Sequence, residues 1–163
     1  MLSNKSQRNM QSRPFIVLFM FLLLSSVGGG SVNAQDKGFH FGPLIGLHHG
    51  EEVSLEAGLG YGEEWIVGHN LELGRGVGLS IERVMAKDPV VGARLSAWYH
   101  IFLALGLSAG YYTDFDQGAV VLQPELGFGL SQGRISWRTT IPFSKMPQGM
   151  SSSDVTVSFM FGL

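Results

Sequence analysis

From residue 53 onward, apolar side chains recur at every second position, and that period limits the chain to strands with two unlike faces. Val53, Leu55, Ala57, Leu59 and Tyr61 share one face, while Ser54, Glu56, Gly58 and Gly60 share the other. The alternation returns as Val77, Leu79 and Ile81 against Gly78, Ser80 and Glu82, then as Val91, Ala93, Leu95 and Ala97 against Gly92, Arg94 and Ser96. It continues through Leu103, Leu105, Leu107, Ala109 and Tyr111, through Val120, Leu122, Leu126, Phe128 and Leu130, and through Ile135, Trp137, Ile141 and Phe143. The last segment sets Val155, Val157, Phe159, Phe161 and Leu163 against Thr156, Ser158, Met160 and Gly162. A meander of such strands is an all-β fold, and closing it on itself removes the exposed edges.

An amphipathic sheet buries its apolar face in a soluble barrel or sandwich, but turns that face outward in a membrane barrel. The polar face separates these homes. Here it is mostly Gly and Ser with sparse charges, whereas a water-facing sheet is normally crowded with charged and polar side chains. The charged fraction of 15% and the mean hydropathy of +0.19 agree with lipid outside. Glycines on the polar face also suit a narrow barrel, where side chains from every strand converge.

The amino-terminal segment has the layout of a secretory signal. Lys5, Arg8 and Arg13 precede an apolar run from Phe15 to Leu24, too short to span a bilayer and followed by Ser25, Ser26 and Gly28 to Gly30. Cleavage is expected after Ala34, giving a signal over residues 1–34 and one barrel domain over residues 35–163. The absence of cysteine excludes disulfides, thiolate metal sites and a lipidated amino-terminal cysteine. With three of the 11 Lys and Arg residues in the signal, 8 remain against 13 Asp and Glu, a formal charge of −5 that argues against a nucleic-acid partner.

The chain resembles the small outer-membrane β-barrel proteins of Gram-negative bacteria, whose last strand alternates aromatic and aliphatic residues as an assembly signal. Phe159 and Phe161 stand in that phase, and Leu163 occupies the final position where Phe is usual. The resemblance covers the mature chain but belongs to an architecture shared by barrels of many functions. It implies an antiparallel up-and-down transmembrane barrel in the cell outer membrane. It also implies contact with outer-membrane lipid and lipopolysaccharide, and with the barrel-assembly machinery during biogenesis.

Turn-forming residues at 48–52, 62–64, 74–76, 86–89, near 99–100, at 113–118, 131–133 and 144–154 divide the mature chain into nine candidate strands. Bacterial barrels use an even number, so eight are expected. The segment Phe39 to Leu47, broken by Pro43, is the one the pattern supports least. Placing the chain end in the periplasm makes Gly74 to Gly76 and Ser131 to Gly133 periplasmic turns. Tyr61, Trp65, Tyr111 and Phe143 then form a lipid-facing aromatic girdle near the outer end.

Strand parity sends Glu56, Glu72, Glu82, Arg94, Glu125, Arg134 and Arg138 into the lumen, where buried charges persist only in pairs. They are expected to plug the lumen. His48, His49, Glu51 and Glu52 are metal-ligand types in one turn, but neighbours on a strand point apart, so a solvated turn is expected and no metal or cofactor site is assigned. Catalysis has little support. Ser96 and His100 share the lumenal face about 13 Å apart, and His69 has no Ser or acid beside it on its face. Arg83 and Lys87 are weak candidates for lipopolysaccharide phosphate. The expected function is therefore a non-catalytic outer-membrane barrel with a structural or surface-contact role. The rivals are a soluble lipocalin-like barrel carrying an apolar ligand and a lipid A-modifying enzyme.

Overall fold

The computed structural model describes residues 37–67, 71–130 and 132–162. The expected signal segment 1–34, His69 and Leu163 lie outside the described residues. The strands are β1 (Lys37–His49), β2 (Val53–Val67), β3 (Leu71–Val84), β4 (Val90–His100), β5 (Leu103–Thr113), β6 (Gly118–Leu130), β7 (Gly133–Thr139, continuing as Ile141–Pro142) and β8 (Ser153–Met160). Each pairs antiparallel with the next. β8 returns to β1, with Met160 opposite Leu44 and Val155 opposite His49, so the sheet closes as an eight-stranded up-and-down barrel.

The two pieces of β7 form one strand. Glu125 of β6 faces Arg138 and Leu122 faces Ile141, so the register runs through without an inserted residue. That register sets Thr139 against Pro124, which has no N–H to donate, and the ladder lapses there. Pro43 is accommodated differently. It lies one residue beyond the last β1–β8 pair, and its carbonyl accepts the Phe161 N–H at 2.9 Å. β1 therefore forms in full, contrary to the expectation that the Phe39 segment would be the one to fail.

The surplus strand arose elsewhere. Residues 62–64 and 74–76 are not turns: Gly62 pairs with Gly76 and Glu64 with Gly74 inside the β2–β3 ladder, which runs on to Val67 opposite Leu71. These glycines make room for large interior side chains. A Cβ at Gly62 would sit 2.9 Å from the Met160 methyl, and one at Gly76 would collide with the Trp98 ring. The turn expected near Tyr99 falls at Ile101 and Phe102, two residues without Gly or Pro, where Phe102 takes a φ of 151°.

The barrel has two unlike ends. Residues 37 and 162 lie at one, the terminal end, with Val67, Leu71, the short 101–102 connection and Gln132. The other, the loop end, carries the connections at 50–52, 85–89, 114–117 and 143–152. Residues 143–152 fold back over the opening: Thr140 N donates to Ser152 O at 2.8 Å, and Glu51 N donates to Ser151 Oγ at 2.7 Å. Met150 is thereby buried among Val84, Val90, Tyr112, Ala119 and Val121.

The two faces of the sheet are distributed inside out relative to a water-soluble core. At mid-strand Leu59, Leu79 and Leu95 stand side by side on the outer wall, 55%, 65% and 61% exposed. Leu103, Leu105 and Leu107 also face outward, while Ala104, Gly106 and Ser108 between them are buried. Inside, Arg94 and Gln123 are 0% exposed and Glu82 is 1%.

Candidate functional site

The interior is layered along the barrel axis. Beneath the apolar cap at the loop end lies a belt of charge built by residues from six strands. Arg138 of β7 grips Glu82 of β3 with two contacts, Nη1–Oε2 at 2.8 Å and Nη2–Oε1 at 2.9 Å, and reaches Asp154 of β8 at 2.8 Å. Glu82 also accepts from Tyr112 at 2.7 Å and Ser54 at 2.6 Å. Arg94 of β4 holds both oxygens of Glu56 at 2.7 Å and pairs with Glu125 at 3.3 Å. Arg134 lies 3.7 Å from Glu125, donates from Nε to Ser158 Oγ at 2.8 Å, and stacks 4.5 Å over the Trp98 ring.

His48 completes the belt. Its Nδ1 lies 2.8 Å from Thr156 Oγ1 and its Nε2 3.1 Å from Glu56, which is also bonded by Ser80. This splits the four-residue turn considered from the sequence: His48 is buried in the lumen, whereas His49, Glu51 and Glu52 are exposed. Charges so deeply buried are tolerated only because each finds an opposite charge and hydrogen bonds.

Of the seven residues assigned to the lumen by parity, Glu56, Glu82, Arg94, Glu125, Arg134 and Arg138 are buried and ion-paired. Glu72 is a correction. It has lumenal parity but stands exposed at the terminal rim, outside the belt, because β3 begins at Leu71 and meets β4 only from Gly74 onward, so Glu72 lies beyond the end of that neighbour. Asp154 supplies the fourth carboxylate instead. It had been read as loop, yet β8 begins at Ser153. Tyr112 and Gln123 also belong to this interior, and their parity, opposite to Tyr111 and Leu122, is the signal that places them there.

The aromatic girdle needs correction too. All four residues point away from the lumen, but they do not share one end. Tyr111 neighbours the loop end and Phe143 lies within it, whereas Trp65 pairs with Lys37 at the terminal end and Tyr61 faces Phe41 on the same half. The misplacement follows from the missing turn: reading 62–64 as a reversal put Tyr61 and Trp65 at a loop. The terminal half carries a denser set, with Phe39, Phe41, Tyr61, Phe102, Phe128, Phe159 and Phe161 all exposed. Arg83 and Lys87 are exposed toward the loop end.

Below the charged belt, Leu44, Trp98 and Met160 form a second apolar layer. Among the described residues, one small cavity lies between Trp98, His100, Arg134 and Met160, and another between His48, Glu82, Arg138 and Asp154. Each measures about 20 Å³, room for a single water. The lumen is filled by side chains rather than shaped for a ligand. Ser96 and His100 are both buried on the lumenal wall, and Ser96 donates to the Gly78 carbonyl at 3.4 Å.

Comparison with models of known protein families, with curated proteins and with solved structures found no match. The class of the protein is therefore set by its fold, an eight-stranded antiparallel barrel with an ionic, side-chain-filled interior.

Proposed function

We propose that this protein is an integral outer-membrane β-barrel, exported by its amino-terminal signal, with a plugged lumen and a non-catalytic structural or surface-contact role. The observation that carries the reading is the inverted distribution of polarity. A continuous wall of Leu, Ile, Val and Phe faces outward while ion pairs fill the inside, and water is a poor solvent for that wall. The dimensions agree. The 11 residues of β4 extend about 36 Å, which at a tilt of ~40° projects to roughly 28 Å, close to the apolar band of a membrane barrel.

The terminal end with its short turns fits the periplasmic side, and the loop end, capped by residues 143–152, the cell surface. Phe159 on the closing strand and Phe161 just past its end are both exposed, where an assembly signal for the barrel-assembly machinery would be read. A lipocalin-like carrier needs an apolar cavity for its ligand, and the charged belt occupies that space.

Fractionation of cells producing the full chain tests the reading. The expected result is a band in the outer membrane that needs detergent for extraction, migrates differently when unheated, and gives no stable conductance steps in planar bilayers. A freely soluble periplasmic protein overturns the proposal, and reproducible single-channel steps overturn the plug.

A further inference from the structure

At the terminal rim, Glu64, Glu72 and His100 bring one ligand atom each to within 4.8 Å of one another. They come from three consecutive strands arranged around Gly74. Gly74 is opposite Glu64 on β2, opposite His100 on β4, and two residues beyond Glu72 on the same face of β3. A Cβ on Gly74 would collide with the His100 imidazole, so the glycine leaves the ring its place between the two carboxylates.

A second observation is independent of this clustering. His100 is 5% exposed, and its Nε2 has no hydrogen-bond partner. Buried polar atoms are almost always satisfied, so the orphaned imidazole nitrogen marks a place for a water or an ion, and the two carboxylates beside it favour a cation. Among the described residues neither arginine of this region pairs with Glu64 or Glu72: Arg75 binds Glu63 at 2.9 Å, and Arg134 lies 3.7 Å from Glu125 and stacks over the Trp98 ring. Two carboxylates this close repel each other when both are ionised. Glu72 makes no ion pair with an arginine or lysine among the described residues. Glu64 is steadied from the far side by His40, whose Nε2 lies 3.1 Å from its Oε2.

We propose that Glu64, Glu72 and His100 form a site for a divalent transition metal of the zinc class, with His40 as a positioning residue acting through Glu64. One imidazole nitrogen and two carboxylate oxygens are a zinc-type donor set, whereas calcium and magnesium favour oxygen alone. Ligand bonds of about 2.0–2.2 Å require the donor atoms to close to roughly 3.3–3.6 Å, a contraction that the exposed Glu72 side chain supplies by rotation. Three protein ligands leave a fourth position for water. The site is independent of what solvent surrounds the barrel wall.

The test uses the untagged mature chain folded in detergent and dialysed to equilibrium against zinc, with bound metal measured by plasma emission and cobalt substitution read by visible absorption. One zinc per chain is expected, not displaced by millimolar calcium. Glu72→Gln and His100→Gln should each weaken binding at least about tenfold, and His40→Ala by about 10- to 100-fold with the cobalt coordination geometry retained. Glu63→Gln, on the outer face beside the site, should leave binding unchanged. Because Glu72 is exposed, its variant carries the test even where His100→Gln disturbs folding. Absence of saturable zinc, affinity unmoved by Glu72→Gln, or displacement by calcium overturns the proposal.

Discussion

Replacing Arg138 with alanine is expected to lower the unfolding free energy of the barrel, measured by urea titration of tryptophan fluorescence in lipid vesicles, by about 3–5 kcal/mol. The guanidinium ties β7 to β3 through Glu82 and to β8 through Asp154, and all three side chains are at most 5% exposed. Truncation leaves the buried Glu82 and Asp154 carboxylates without the cation that pairs them both. That costs far more than the loss of contact alone, because an unpaired buried charge carries its full desolvation penalty. Arg75→Ala is the contrast. Arg75 also grips a glutamate at 2.9 Å, but its side chain is 53% exposed, and a solvated pair of this kind contributes about 0–1 kcal/mol. Equal losses from the two variants would contradict the belt as a structural plug.

Gly127→Leu is expected to abolish the folded, heat-shifted form under conditions where the wild-type chain refolds completely. Gly127 faces Ser136 across the β6–β7 pair, and a Cβ there would collide with the Ile135 carbonyl and the Ser136 backbone. Side chains can rotate away from an intruder, but a paired backbone cannot without breaking the ladder. The cost therefore exceeds the ~1–3 kcal/mol of ordinary overpacking, a large share of a typical ~5–15 kcal/mol stability. Leu126→Ala, one residue away on the outer wall and 57% exposed in the protein alone, should still fold. Recovery of folded Gly127→Leu in full yield would contradict the close approach of β6 and β7.

These two residues illustrate what was legible in the sequence. Period-2 alternation places Arg138 and Glu82 on one face and Leu126 on the other without knowledge of any contact, because side-chain direction in a strand depends only on position. Glycine is where the reading failed. Gly62, Gly74 and Gly76 have the composition of turns, yet they sit within strands to admit Met160, His100 and Trp98, and a large side chain on another strand leaves no local mark. Ile101 and Phe102 show the reverse error, a tight turn made without the residues that favour one.

The partners within the lumen were legible only as a set of charges. Parity supplies the list, but which Arg meets which Glu depends on the register of strands far apart in sequence, as with Glu82 and Arg138, 56 residues apart. The terminal rim was unreadable for the same reason. Glu64 was assigned to a turn, Glu72 to the central network and His100 to a weak pairing with Ser96. Only the β2–β3–β4 register brings the three around Gly74.

The central claim is that lipid, not water, surrounds the barrel. The native chain has no cysteine, so a single Leu79→Cys substitution gives a unique attachment point on the outer wall, at mid-strand between Leu59 and Leu95. A nitroxide there, in protein reconstituted into phospholipid vesicles, should collide freely with oxygen and hardly at all with a water-soluble nickel chelate, while a label at Asp116→Cys in the exposed 114–117 loop shows the opposite preference. Equal access of the nickel chelate to both labels would contradict the account.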